Sequence, residues 1–189
     1  GAFATGFLLY GIAFLYGAAG TTNLSGIAGK YSLLSSSGFF WLGTGLLMVG
    51  LAFKVGAVPF HMWIPDVYQG SPTTVSGFMS TGAKSAAFAA LVLVFAQPQV
   101  QSSDRLRLVV AVLAAASMIL GNIVAISQSS IKRMLAYSSI AHAGYMLIGL
   151  AAAGLDKGFH WLLPEFAASV LTLAFLIFIS GGLHLDGLA

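Results

Sequence analysis

The stretch FKVGAVPFHMWIPD, residues 53 to 66, decides how the chain folds, because it places polar and helix-breaking residues inside a long apolar run. Lys54, Pro59 and His61 fall within eight residues of one another there. Hydrocarbon penalises a charged ammonium, and it penalises any backbone group that lacks a hydrogen-bond partner. The stretch therefore predicts a membrane helix that is interrupted where protein or water satisfies its polar groups.

The composition of the whole chain supports a membrane location. Of its 189 residues, 58% are hydrophobic and only 7% are charged, whereas a soluble domain carries about 25% charged residues. A soluble fold of this length leaves roughly a third of the unfolded chain's surface exposed, so it could not hide this much apolar surface. The predicted fold class is an all-α polytopic membrane protein, and a soluble enzyme is excluded.

The charged residues and the cysteine count exclude several kinds of partner and site. The net charge of +3 rests on eight Lys and Arg residues against five Asp and Glu residues, and it forms no basic stripe. A nucleic-acid partner is therefore not indicated. The chain has no cysteine, which excludes disulfides and thiolate metal sites. Its four histidines lack the paired spacing that would indicate a metal site.

Hydropathy divides the chain into six predicted spans, since a helix needs about 20 apolar residues to cross the hydrocarbon core. They are residues 1–19, 38 to about 63, 73–95, 106–127, 134–153 and 161–180. The polar stretch 20–37 is predicted to be a loop and 66–71 a short turn. Ser71 and Pro72 are predicted to cap the third span. We expect one transmembrane helical domain over residues 1–189, with one helix interrupted near Pro59.

Two lysines lie deep in the predicted spans. Lys84, in STGAKSAAFAA, lies near the middle of the third span, where a lysine costs about 2.5 to 3.5 kcal/mol. Such a lysine either packs along a polar seam in a structural role or carries protons in a hydrated cavity, because burial disfavours the charged form of an amine. Lys54 lies near the middle of the apolar run 39–64. A broken helix beside a midplane lysine is a device of transporters; the alternative is a proline kink beside a lysine that reaches the membrane surface.

Two histidines are candidate proton carriers, because imidazole titrates near neutral pH. His142 lies in SSIAHAGYMLIG, with Ser138, Ser139 and Tyr145 at helical distances from it. His61 follows the predicted break at Pro59. For His142 the alternative is a hydrogen-bonded histidine of the core, and for His61 it is a residue that holds the kink in place.

Two basic residues, Lys132 and Arg133, begin the fifth predicted span. Their long side chains are expected to reach the lipid headgroups. For Lys132 the alternative is the outlet of a polar path. Asp66 is expected to be a turn residue or an interfacial cap.

Two longer stretches carry a family resemblance. FKVGAVPFHMWIPDVYQGSPTTVSGFMSTGAKSAAFAA, residues 53–90, resembles the antiporter-like subunit N of respiratory complex I, which is called subunit 2 in mitochondria. IKRMLAYSSIAHAGYMLIGLAA, residues 131–152, matches another signature of the same family. The likeness covers roughly residues 1–153, and the family is related to multisubunit cation/proton antiporters. By this resemblance, the family's lysine on the discontinuous helix corresponds to Lys54, its central lysine to Lys84 and its AHAGY histidine to His142.

The resemblance implies a function that the composition alone does not. In the family these groups form part of a hydrated polar axis at the membrane midplane, along which protons move. The implied protein is a proton-translocating subunit of NADH:quinone oxidoreductase, multi-pass in the bacterial inner membrane, with other membrane subunits of complex I and the lipid bilayer as partners. NADH, flavin, iron–sulfur clusters and quinone are expected on other subunits, and no cofactor is expected on this chain.

The resemblance also implies that the chain is a fragment, since the glutamate that pairs with the family's first lysine would lie upstream of Gly1. Two alternatives remain open at this point. One is a subunit of a multisubunit cation/proton antiporter, and the other is a structural spacer whose lysines hold partner subunits.

Overall fold

The computed structural model describes residues 1–95 and 103–152. The described helices are α1 (Ala2–Ala19), α2 (Leu24–Gly29), α3 (Tyr31–Leu34), α4 (Gly38–Val55), α5 (Trp63–Gly70), α6 (Thr73–Phe78), a π-helical turn (Met79–Ala83), α7 (Lys84–Phe95), α8 (Asp104–Ile126) and α9 (Ile131–Ala152). Five segments are long and apolar enough to cross a membrane: α1, α4, the continuous run Thr73–Phe95, α8 and α9. The predicted all-α membrane class is confirmed. The sixth predicted span, 161–180, lies outside the described residues.

Glycines bring the helices close together in two pairs, α1 with α4 and α8 with α9. A Cβ atom added to Gly11 of α1 would lie 2.7 Å from the backbone nitrogen of Leu47 in α4. A Cβ atom added to Gly121 of α8 would lie 2.8 Å from the backbone nitrogen of Ala141 in α9. Small residues at these contacts let the two backbones approach closely. In lipid the hydrophobic effect does not drive helices together, so association depends on such close packing.

The predicted interruption near Pro59 is confirmed, although the helix before it ends earlier than predicted. The span expected to run from 38 to about 63 ends at Val55, and the chain is not α-helical again until Trp63. Gly56 has a φ of 77° and donates its N–H to the Ala52 carbonyl at 2.9 Å, which is a common way for a helix to end. Pro59 explains the position, because a proline ring clashes with the carbonyl four residues before it, here that of Val55.

The stretch predicted to be a loop, residues 20–37, contains two short helices, α2 and α3. The Asn23 side chain accepts a hydrogen bond from the Gly26 N–H at 3.2 Å and so caps α2. Lys30 donates from Nζ to the Ala19 carbonyl at 3.1 Å, which satisfies the end of α1. The loop prediction was wrong because local capping stabilised helical turns too short to give an apolar period.

Two other predicted boundaries were also wrong. The turn expected at 66–71 is helical as far as Gly70. Ser71 does not cap the next helix, which begins at Thr73 with Pro72 before it and no side-chain capping bond. Instead, Ser76 Oγ donates to the Tyr68 carbonyl at 2.8 Å and ties α6 to α5.

Two apolar clusters surround the interruption. The larger one lies between α4, α7, α8 and α9 and includes Val55, Leu91, Ala114 and Leu147. The smaller one joins the interrupted segment and α5 to α9, and it consists of Val58, Ile64, Tyr68, Ala136 and Ile140. The interrupted segment therefore has protein on its inner side, as irregular backbone at membrane depth requires.

Candidate functional site

Lys84 is the first residue of α7 and is buried, with only 4% of its surface exposed. Its Nζ donates to two atoms of Ser139 in α9, the backbone carbonyl at 2.8 Å and the side-chain Oγ at 2.5 Å. Within residues 1–95 and 103–152 no carboxylate pairs with it. A carbonyl and a hydroxyl can accept hydrogen bonds from an ammonium without neutralising its charge. The lysine is therefore buried in the protein without a counter-ion from the described residues.

A π-helical turn, Met79–Ala83, directly precedes Lys84. Wider helical turns of this kind occur frequently at functional sites. The Gly77 carbonyl before the turn accepts bonds from Ser80 Oγ at 2.8 Å and from Thr81 Oγ1 at 3.0 Å. The hydroxyls of Ser80 and Thr81 thus donate hydrogen bonds to a backbone carbonyl next to the π-helical turn. The sequence pattern did not predict this turn.

The interruption itself is satisfied by side chains. Ser117 of α8 is fully buried; its Oγ accepts from the Val58 N–H at 2.9 Å and donates to the Leu113 carbonyl at 2.6 Å. At the end of α4, Trp63 donates from Nε1 to the Phe53 carbonyl at 3.0 Å. Ser117 was not predicted, since a single serine in an apolar helix carries no distinctive pattern.

Lys54 lies in the last turn of α4 and is exposed on the described chain. It takes part in none of the hydrogen bonds or ion pairs among the described residues, so it shares no bonding partner with Lys84 there. Pro59, four residues beyond the end of α4, is also exposed, and its peptide bond to Val58 is cis. The two lysines therefore occupy different environments, one outward and one buried.

His61 is half-buried between α4 and α5. Its Nδ1 atom is buried beside the backbone of Pro59. Its ring centroid lies 6.5 Å from that of Tyr137 in α9, with the planes tilted by 59°. His61 thus lies within the interruption, near Tyr137 of α9.

His142 is half-buried on α9, three residues after Ser139. Residues three apart are neighbours on one side of a helix, so His142 lies one turn beyond the Lys84 contact. Its ring meets the Tyr145 ring edge to face, with centroids 5.6 Å apart. Tyr145 in turn accepts a hydrogen bond at its hydroxyl from Asn122 Nδ2 at 3.2 Å.

Ser138 and Lys132 are both half-buried on α9, Lys132 in its first turn. The serine that contacts Lys84 is Ser139, the neighbour of the predicted Ser138. Among the described residues there is also no group of three or more His, Cys, Asp or Glu side chains that could hold a metal ion.

Arg133 joins α9 to α5. It donates from a guanidinium nitrogen to Asp66 Oδ1 at 2.6 Å and to Gln69 Oε1 at 3.0 Å. Both charged groups are partly exposed, so water screens the pair and it stabilises the fold only weakly. The main effect of these bonds is to position α5 against α9, because Asp66 and Gln69 lie on either side of Tyr68 in the sequence.

Tyr68 is a second residue of the site that was not predicted. It lies on α5, is 5% exposed, and its hydroxyl interacts with the Ser139 side chain. Lys84 and Tyr68 thus both contact α9 at Ser139 or at residues close to it. A tyrosine in the stretch PDVYQG carries no signal of its own, since only the packing of α5 against α9 brings it there.

An apolar helical bundle with an interrupted segment and a buried lysine beside it defines a class, the antiporter-like membrane proteins. The chain belongs to the NADH:quinone oxidoreductase/Mrp antiporter transmembrane family, whose model matches residues 1–185. It is 52% identical to the NADH-quinone oxidoreductase subunit N of Salinibacter ruber over 160 residues, which cover 84% of this chain and 32% of that protein. The chain thus spans about a third of the length of the curated relatives it matches.

Solved structures show the same likeness. A chain of respiratory complex I from Thermus thermophilus with bound aureothin is 42% identical, with a TM-score of 0.69 over 93% of this chain and 38% of that chain. A chain of the Mrp complex from Dietzia sp. is 26% identical, with a TM-score of 0.79 over 95% of this chain and 33% of that chain.

Proposed function

We propose that the chain is part of a proton-translocating membrane subunit of NADH:quinone oxidoreductase, in the bacterial inner membrane and beside the other membrane subunits of complex I. The family membership and the subunit N relatives support the assignment. The chain's role is that of a translocase component. Electron transfer takes place on other subunits, and this one moves protons.

The observation that carries the proposal is the burial of Lys84 against a neutral partner, Ser139. A charge held without a fixed counter-ion responds strongly to other charges, because Coulomb energies are larger in a protein interior than in water. In our mechanism, positive charge at Lys54 favours release of the Lys84 proton. The proton then passes through water towards His142, one helical turn beyond Ser139.

The remaining polar residues have supporting roles in this mechanism. Pro59 and His61 shape the interruption, and Tyr145 orients the His142 ring. Ser138 lines the path between Lys84 and His142, and Lys132 forms its outlet. Lys54 lies on the outer face of the described helices, where a carboxylate of the longer protein would control its charge.

The test is the variant Lys84→Ala in the full-length subunit, within the assembled complex in membrane vesicles. NADH-driven proton uptake and NADH oxidation are measured together and normalised to the amount of assembled complex. We expect proton uptake per NADH oxidised to fall clearly while the complex still assembles, because the central proton carrier is gone. Lys30→Ala is the matched control: it removes the same side chain from an exposed residue. A wild-type ratio in Lys84→Ala contradicts the proposal.

The structural likeness to the Mrp complex favours one second candidate, a subunit of a cation/proton antiporter. In that case proton movement depends on Na⁺ and does not need NADH. Vesicles assayed with and without Na⁺ separate the two functions. If Lys84→Ala lowers only the amount of assembled complex and leaves the ratio unchanged, the lysine is structural and the chain is a spacer.

A further inference from the structure

Ser139 is the point at which three elements meet. It belongs to α9, and its Oγ accepts a hydrogen bond from Lys84 of α7. Tyr68 of α5 packs with Ala136 and Ile140, which lie close to Ser139 on α9, and its hydroxyl interacts with the Ser139 side chain. Ser139 is fully buried, Lys84 is 4% exposed and Tyr68 is 5% exposed. The three polar groups are therefore shielded together.

The helix α5 is fixed against α9 on both sides of Tyr68. Asp66 and Gln69 both bond to Arg133. Next to them, Ile64 and Tyr68 pack with Ala136 and Ile140 in one apolar cluster. Because α5 directly follows the interruption, these contacts hold Tyr68 near Ser139 and connect the interrupted segment to it.

A serine hydroxyl has one proton to donate and two lone pairs to accept with. When Lys84 is an ammonium it only donates, so the Ser139 hydroxyl must direct its own proton elsewhere. The Tyr68 hydroxyl, which interacts with the Ser139 side chain, is an acceptor available for it. When Lys84 is a neutral amine, its lone pair can accept the Ser139 proton instead. The direction of one hydroxyl thus follows the charge of the lysine.

We propose that Tyr68 is a positioning residue for Lys84, acting through the Ser139 hydroxyl, so that the interrupted segment controls the hydrogen bonding of the buried lysine. This inference rests on the proposed function. It adds a route by which the position of α5 on α9 affects proton release from α7. Tyr68 itself does not carry the proton.

The first experiment replaces Tyr68 with phenylalanine in the full-length subunit of the assembled complex. Tyr68→Phe keeps the ring in its apolar cluster and removes only the hydroxyl. The rate of NADH-driven proton uptake per assembled complex is expected to fall about threefold to tenfold, the change that corresponds to one hydrogen bond. Tyr10→Phe is the matched control, since Tyr10 is an exposed residue of α1, 67% accessible. A normal rate per assembled complex in Tyr68→Phe overturns the inference, whether or not less complex is assembled.

The second experiment asks whether Tyr68 acts through Ser139. Residues that act as one unit have non-additive effects, whereas independent structural effects add as free energies. Tyr68→Phe is therefore expected to cause no further loss in a Ser139→Ala background. Two losses that multiply overturn the inference. If Tyr68→Phe is normal while Lys84→Ala lowers proton uptake, this inference is wrong and the proposed function stands; if Lys84→Ala is also normal, the proposed function fails.

Discussion

The hydrogen bonds of Lys84 offset only part of the free energy that burying its ammonium group costs. Moving an ammonium out of water costs several kcal/mol even after the protein relaxes. Charge-assisted hydrogen bonds to the Ser139 carbonyl and hydroxyl offset part of this desolvation cost. Without a carboxylate from the described chain, the balance between the charged and neutral forms depends on nearby charges. This dependence is the physical basis of the proposed proton transfer.

Ser117 supports the site through the backbone of the interrupted segment. Ser117→Ala leaves the buried Val58 N–H without its acceptor, which is expected to lower the free energy of unfolding by about 1–3 kcal/mol. Thermal unfolding of the purified complex, followed through loss of this subunit, measures the effect.

The control for that variant is Ser127→Ala. It removes an exposed hydroxyl at the end of α8 that donates to the Val124 carbonyl and accepts a long hydrogen bond from the neighbouring Gln128 side chain. This variant should leave stability within about 0.5 kcal/mol of wild type. Equal stability of the two variants would contradict a supporting role for Ser117.

Lys84 could be identified from the sequence, because a charge in the middle of an apolar span is visible without any structure. Ser139, Tyr68 and Ser117 could not. Hydroxyl residues are common in membrane helices, and which of them bonds to a lysine or to a broken backbone is decided only when the helices pack. Between the neighbours Ser138 and Ser139, the sequence offers no basis for a choice, since one residue rotates the side chain by about 100° around the helix.

At the scale of elements, close backbone contact holds α8 and α9 together. Gly121→Ala places a methyl group 2.8 Å from the Ala141 nitrogen and 3.0 Å from the Tyr137 carbonyl. Backbone atoms cannot give way as a flexible side chain does, so the helices must separate. We expect a loss of about 1–3 kcal/mol of stability, the usual cost of overpacking. The midpoint of thermal unfolding checks it.

Gly17→Ala provides the matched control for the helix contact. A Cβ atom at Gly17 of α1 meets nothing within 4 Å, and alanine favours a helix over glycine by about 1 kcal/mol. This variant is expected to be as stable as wild type or slightly more so. If Gly121→Ala behaved in the same way, the two helices would not be in the close contact described.

The elements also show where hydropathy succeeds and where it does not. The spans α1, α8 and α9 were predicted to within a few residues, because long apolar runs determine membrane helices. The helix α4 ends at Val55, four residues before Pro59, because the ring of Pro59 clashes with the Val55 carbonyl. The π-helical turn before Lys84 could not be predicted from hydropathy, because its residues do not differ in type from those of an ordinary membrane helix.

In the whole molecule, the described helices form two close pairs, α1 with α4 and α8 with α9, and the Lys84 span packs against α4 while Lys84 bonds to α9. The outer face of α8 exposes large apolar side chains, among them Leu108, Ile119, Ile123 and Ile126. Such a surface suits lipid or another apolar helix and not water. Among the buried polar residues, Ser117 bonds to the interruption, and Ser139 bonds to Lys84.

The central claim is that Lys84 releases its proton, and the variant Lys84→Arg tests this most directly. A guanidinium keeps the positive charge and can donate to Ser139, but it does not deprotonate in proteins. The measurement is the number of protons moved per NADH oxidised by the assembled complex in vesicles, with Lys30→Arg as the control. We predict that Lys84→Arg assembles but moves clearly fewer protons than wild type. A wild-type ratio in Lys84→Arg would mean that a fixed charge is sufficient at this position, and the account of Lys84 as a proton carrier would be wrong.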